Sequence, residues 1–266
     1  MNASPSPTSG GPRRRGVQSV DRALDVLGAF SAAHPRFQLS ELAEAAGLPK
    51  ASTHRIAVTL VDRGFLRQEA DGAYVLGNRL LELGSLVSAT TALAHLTQGA
   101  AEELIRSTGE TVLVAEIDWR DRSLLITGKR EAPHSPETLS PLGRRSVLAN
   151  GCISRAILSG LPREEGEEIV ARLALAQRTP VSVTDPATLL REIDTCRRYG
   201  YAIEINEFIP GIAGVAVPVM VAGRPAGAVA VCGQSARMPR RRLEALGTHI
   251  KYLLGRASAA QPPGPP

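Results

Sequence analysis

The side chains best suited to covalent chemistry are Cys152, Cys196 and Cys232, with His134 and His249 as the available bases. A thiol nucleophile needs its base within hydrogen-bond reach. No local motif places either histidine beside a cysteine, and a free cysteine is most often a small core filler. The three cysteines show neither C-x-x-C nor Cys/His ligand spacing, the pattern of reduced, buried thiols in a cytoplasmic protein. Glu204 and Glu207 could share a metal, but no His or Cys joins them at ligand spacing. A salt bridge or loop hydrogen bond is the plainer role for Glu207. Catalysis is therefore not expected, and neither a metal nor another cofactor is implied.

A different chemistry, hydrogen bonding to base edges, is available from Leu39 to Arg63. This stretch reads as two short helices with a tight turn. Ser40 is placed to cap the first, whose Leu42, Ala43 and Ala46 share a face. Gly47 stops it, and Leu48-Pro49 opens the second. There Thr53, Ile56, Ala57 and Leu60 form one face. Ala51, Arg55, Val58 and Asp62 form the other, flanked by Ser52, His54 and Thr59, with Lys50 beside them. A small, polar outer face carrying one arginine suits a helix lying in a major groove. An ordinary helical hairpin has the same pattern, so the neighbouring elements decide.

Before the pair, a helix is expected from about Val17 to Ala33, with Val20, Ala23, Leu24, Leu27 and Phe30 as its apolar stripe. After it, Phe65–Gln68 and Ala73–Leu76 flank Glu69-Ala70-Asp71-Gly72, where Asp71-Gly72 supplies the positive backbone angles of a tight turn. Three helices and a hairpin make a winged helix-turn-helix over residues 17–76, and Arg67 on the wing could meet a phosphate. Residues 1–16 are rich in Ser, Pro and Gly and reach Arg13-Arg14-Arg15, a disordered basic tail. It is either an arm for DNA phosphates or a solubilising terminus. The 266 residues suffice for two cored domains; 43% are hydrophobic and the formal charge is +5. The charge is compatible with nucleic acid without establishing it. Apolar runs are too short to span a bilayer, so no membrane partner is expected, and with no apolar core after the N-terminal arginines a signal peptide is not expected.

From Gly77 to about Ala94 the chain reads as a linker helix with an apolar stripe of Leu80, Leu83 and Val87. Residues 95–258 read as an α+β domain with antiparallel strands, and 259–266 as a disordered tail. Strands are expected at Thr111–Ile117, Ser123–Thr127, Ile212–Val221 and Gly227–Cys232. Helices are expected at Leu148–Ser159, at Arg163–Leu175, from Asp185-Pro186 to Tyr199, and from near Pro239.

As a set, several motifs resemble the IclR-type transcriptional regulators: Val17-Gln18-Ser19-Val20-Asp21-Arg22-Ala23-Leu24, Leu39-Ser40-Glu41-Leu42-Ala43, Gly47-Leu48-Pro49-Lys50, His54-Arg55, Tyr74-Val75-Leu76-Gly77 and Leu80-Leu81-Glu82-Leu83-Gly84. The resemblance continues through Gly200–Gly211 and Val215–Val219 and covers nearly the whole chain after residue 16. It implies a winged helix-turn-helix, a linker helix and a GAF-like effector domain. It also implies double-stranded operator DNA and a small-molecule effector as partners, pairing through Leu80, Leu83 and Val87, and a homodimer or homotetramer. Repression rather than activation is expected. Ser40, Lys50, Ala51, Ser52, His54, Arg55, Thr59 and Arg67 would contact DNA. The effector pocket of such regulators uses an acidic residue, a cysteine and two serines; here these positions are Glu204, Gly214, Ala230 and Cys232. Leu148, Cys152, Ile153 and Ile212 join them, and Ser154-Arg155 stands where Gly-Lys is usual. Loss of side-chain volume at Gly214 and Ala230 predicts added space and a larger, more apolar effector than a two- or three-carbon acid, held by backbone N–H groups and Glu204. The alternatives are a ligand-independent regulator whose second domain only oligomerises and, last, an enzyme.

Overall fold

The computed structural model describes residues 16–31, 33–135 and 140–259, with backbone alone for 88–90. The chain divides into two units, residues 1–87 and 88–266. Arg13-Arg14-Arg15 and residues 260–266 lie outside the described residues.

In the first unit α1 (Gln18–Gly28), α2 (Leu39–Ala45) and α3 (Lys50–Asp62) surround Val26, Leu42, Ala57, Leu60, Leu66 and Tyr74. Helix α1 is shorter than its apolar pattern predicts. Val26 is its fully buried residue, whereas Val20 and Leu24 are 53% and 59% exposed. Burial is confined to the C-terminal half of α1, so spacing alone overstated its core face. Ser40 is not the cap of α2. The Gln38 N–H donates to Glu41 Oε2 at 2.8 Å, and Ser40 sits exposed within the first turn. Gly47, at φ 64°, ends α2 as expected.

The wing has three strands, not two. β1 (Arg36–Phe37) pairs with β3 (Tyr74–Leu76), which also pairs with β2 (Leu66–Gln68), all antiparallel. Two residues give no alternation to read, so β1 was invisible in sequence. Only Gly72 of the expected turn pair takes a positive φ, 83°. Asp71 instead accepts from Arg36 and from the Ala73 N–H. The chain leaves the wing at Gly77, where an added Cβ would lie 2.2 Å from the Gly64 carbonyl oxygen. Then comes α4 (Asn78–Thr90). The single helix expected over 77–94 is interrupted: the Thr91 hydroxyl accepts from the Ala94 N–H at 3.3 Å and caps α5 (Ala92–Thr108).

The second unit is built on a six-stranded antiparallel sheet ordered β6-β5-β4-β9-β8-β7. Its strands are β4 (Thr111–Asp118), β5 (Ser123–Arg130), β6 (Arg145–Val147), β7 (Ala202–Ile205), β8 (Ile212–Val221) and β9 (Arg224–Gln234). Alternation sorts the two faces. Val112, Val114, Val215, Val217, Val229 and Val231 pack with α5 and α9 (Arg240–Ala259). Leu113, Ala115, Ile212, Ala216, Ala228 and Ala230 pack with α6 (Gly151–Ser159), α7 (Arg163–Val170) and α8 (Pro186–Tyr199). Helix α8 has the expected punctuation. Asp185 accepts from the Thr188 N–H at 2.8 Å, and Gly200 ends the helix at φ 79°. Helix α7 stops at Val170, short of Leu175, and β6 was not anticipated. Among the described residues no single helix is long and apolar enough to cross a membrane.

Candidate DNA-reading surface and effector cavity

Helix α3 is anchored by buried Thr53, Ala57 and Leu60, which leaves Lys50, Ala51, His54, Arg55, Val58 and Thr59 exposed. Ser52 is half-buried between the two sets. The 3.6-residue period thus delivers an exposed strip of small, polar and basic residues with Val58 among them. Among the described residues Arg55 has no carboxylate partner, so its donors remain available for base edges. A groove of about 420 Å³ runs between α1 and α3, lined by Ser19, Arg22, Ser52, Arg55 and Thr59. Ser19 and Arg22 escaped the sequence reading because a helix face set by apolar spacing says nothing of its polar neighbours. On the wing, Arg67 is held by Glu69 at 2.7 Å, and Arg36 pairs with Asp71. Both pairs are exposed and individually weak, so a phosphate could exchange for either carboxylate. In α4, Leu80 is half-buried, while Leu83 and Val87 are 37% and 62% exposed.

In the second unit a pocket with about 40 Å³ of interior space opens between α6, the sheet and the 204–212 segment. Its lining includes Cys152, Ile153, Glu204, Ile212 and Cys232 of the expected residues, together with Phe208 and Ile209. Leu148, Gly214 and Ala230 are buried but do not line it.

The expected enlargement at Gly214 and Ala230 is absent, for a packing reason. A Cβ on Gly214 would meet Cys232 Sγ at 2.9 Å and Cys152 Sγ at 3.3 Å. The two thiols fill the volume that a side chain at 214 would take, and small residues on this sheet face seat α6. Gly214→Ser is accordingly expected to destabilise the protein by about 1–3 kcal/mol, read from urea unfolding. An unchanged midpoint would mean that the thiols move aside freely.

The chemistry of this pocket is set by a buried ionic cluster. Gly151 opens α6 at φ 85°, and a Cβ there would lie 2.7 Å from Glu204 Oε2, so both backbone angle and space call for glycine. The helix N-terminus faces the two acids. The Cys152 N–H donates to Glu204 Oε2 at 3.2 Å and the Gly151 N–H to Glu207 Oε1 at 3.4 Å. Both N–H groups are thus engaged within the chain. Arg155, 2% exposed, donates to Glu207 at 2.7 Å and to the Ile203 carbonyl at 2.8 Å, and pairs with Glu192 at 2.8 Å. The salt bridge expected for Glu207 is thus to Arg155. Burial raises the Glu204 pKa to about 7, against the pull of Arg155 and with the push of Glu207. A hydrogen bond with Cys232, burial and nearby Glu204 push the Cys152 thiol well above its usual range. The Cys152 thiol is therefore a poor nucleophile at neutral pH. Cys196 donates to Ser159 Oγ, and among the described residues neither His134 nor His249 is hydrogen-bonded to a thiol.

The comparisons agree with this geometry. Residues 19–70 match the profile described as the IclR helix-turn-helix domain, and residues 86–257 match "Bacterial transcriptional regulator IclR C-terminal". The chain is similar to the HTH-type transcriptional regulator KipR of Bacillus subtilis, 34% identical over 82% of this chain and 86% of that protein. It is also similar to the transcriptional repressor IclR of Escherichia coli, 26% identical over 88% of this chain and 86% of that one. The crystal structure of an IclR homolog from Microbacterium hydrocarbonoxydans complexed with 4-hydroxybenzoate shares the fold. That likeness has a TM-score of 0.77 and 22% identity, over 91% of this chain and all of that one. The α3 surface, the antiparallel α+β domain and the two profile matches together place this chain in the IclR family of bacterial transcriptional regulators.

Proposed function

We propose that the protein is a cytoplasmic repressor whose α3 reads a two-fold operator and whose second domain binds a small organic effector. It works without catalysis. The observation that carries the DNA reading is Arg55, without a carboxylate partner among the described residues, on the exposed strip of α3. Lys50, Ala51, Ser52, His54 and Thr59 complete the surface, Ser40 and Arg67 flank it, and Arg22 adds a phosphate contact. Arg55→Ala is expected to cost about 1–3 kcal/mol in operator affinity and to relax sequence preference at one position. Unchanged affinity and preference would remove α3 from the groove.

Support for the effector reading comes from the pocket beside Glu204 and from the ligand-bound homolog. About 40 Å³ holds only a few waters. An occupant must therefore shift the α6 region, which supplies the differential affinity that coupling to DNA requires. The test is to recover genomic fragments bound by the full chain, then titrate aromatic and hydroxylated metabolites, glyoxylate and pyruvate for release. Release by an aromatic or hydroxylated compound supports the proposal. Release by the small acids alone overturns the expected effector class. If nothing in the panel releases the DNA, the ligand-independent regulator is the better description. A two-fold operator also requires at least a dimer, with Leu80, Leu83 and Val87 of α4 in the pairing surface. Sedimentation at micromolar concentration is expected to show a dimer or tetramer, and a stable monomer would contradict this assembly.

A further inference from the structure

The register of the wing sets two arginines on one face. Arg36 of β1 and Arg67 of β2 both pair with Val75 of the central strand β3, so their side chains flank Val75 on one side of the sheet. Phe37 and Tyr74 point to the other side and are buried in the core of the unit. Both arginines are exposed. Two long cations on one open face are chemically suited to DNA phosphates.

Each of them already holds a carboxylate. Arg36 donates to Asp71, and Arg67 donates to Glu69 through Nε and a terminal nitrogen at 3.1 and 2.7 Å. Glu69 and Asp71 belong to the turn that joins β2 to β3, and hydrogen bonds fix that turn. The Glu69 N–H donates to the Ala73 carbonyl at 2.8 Å, and the Gly72 N–H donates to the Glu69 carbonyl at 2.9 Å. Asp71 Oδ1 accepts from the Ala73 N–H at 3.3 Å, and the Asp71 carbonyl accepts from the Gln38 side-chain amide at 3.3 Å. The hydrogen bond from Arg36 lowers the Asp71 pKa, so this acid is ionised at neutral pH. The reading surface differs. Among the described residues Arg22, Lys50 and Arg55 have no carboxylate partner. The wing thus pairs its two outward cations one to one with acids, while α1 and α3 leave theirs open.

An exposed ion pair exchanges partners easily. A phosphate that takes either guanidinium still meets the carboxylate, because the turn keeps that acid beside it. The like charges repel at short range and offset what the arginine contributes. We propose that Arg36 and Arg67 form a phosphate-binding face on the wing, and that Glu69 and Asp71 are a built-in brake on it. The brake weakens the sequence-independent part of DNA binding, on operator and bulk DNA alike, and leaves the choice of sequence to α3. The proposal rests on the DNA reading of this domain.

The test uses the full chain with the recovered operator and a scrambled duplex, read by fluorescence anisotropy over a salt series. Glu69→Gln/Asp71→Asn is expected to bind the scrambled duplex about tenfold more tightly than the wild type. Its salt dependence should steepen by the equivalent of about one or two phosphate contacts. Operator affinity should rise by the same factor, so the ratio of the two affinities is preserved. Arg36→Gln/Arg67→Gln is expected to change scrambled-duplex affinity less than about threefold in the native background, and to erase the gain in the Glu69→Gln/Asp71→Asn background. Thermal unfolding checks each variant. Should the Asp71 change unfold the chain, Glu69→Gln alone is expected to give about a threefold gain that Arg67→Gln removes. Unchanged scrambled-duplex affinity with an unchanged salt slope overturns the brake. So does a gain that survives loss of the arginines, or a change confined to the operator. Equal binding of the two duplexes by the wild type overturns instead the DNA reading on which the proposal rests.

Discussion

Arg155→Ala is expected to destabilise the second domain by about 3–5 kcal/mol, the usual consequence of stranding buried charges by removing their partner. The side chain is 2% exposed and joins Glu207 and Glu192 with the Ile203 carbonyl. Burial disfavours its charge, but Glu207 and Glu192 outweigh that and raise its pKa. Without it, Glu204 and Glu207 face each other across the start of α6 with only two backbone N–H groups between them. The loss should be larger at pH 8 than at pH 5, because acid lets the stranded carboxylates take up protons. Urea unfolding at both pH values measures this. A loss below about 1 kcal/mol at either pH would mean that water reaches the cluster. Pairing Arg155→Met with Glu207→Leu should lose less than the two single changes added together, because no charge is then left alone.

Glu204→Gln is expected to act in the opposite direction. The folded-state pKa of Glu204, about 7, lies above its ordinary value of 4.5. Between those values the native protein holds a proton that the unfolded chain has released. Stability therefore falls as pH rises through that window, and the full penalty is present above pH 7. Glutamine cannot ionise, yet its carbonyl can still accept from the Cys152 N–H. The variant should match the wild type below about pH 4.5 and exceed it by up to ~3 kcal/mol at pH 8. Stability curves that stay parallel from pH 5 to 8 would show that Glu204 titrates normally.

Residues that follow a local period, or punctuate one, were legible in sequence. The inward and outward sets of α3 and the Asp185 and Gly200 ends of α8 rest on such signals. What failed depended on a partner distant in the chain. Val20 and Leu24 fit the stripe of α1 yet lie beyond its packed half. Gly214 read as vacated volume because nothing local shows that Cys152 and Cys232 converge on it from two other elements. The short strands β1 and β6 exist only by pairing, β1 with β3 and β6 with β5.

The central claim is that this chain reads a specific DNA sequence. Its most direct test is fluorescence anisotropy of the full chain with the recovered operator and with a scrambled duplex of equal composition, at one fixed salt concentration. Specific recognition predicts at least ~10³-fold tighter binding to the operator. Equal affinity for the two duplexes, with the same salt dependence, would show binding to phosphates alone and contradict the account.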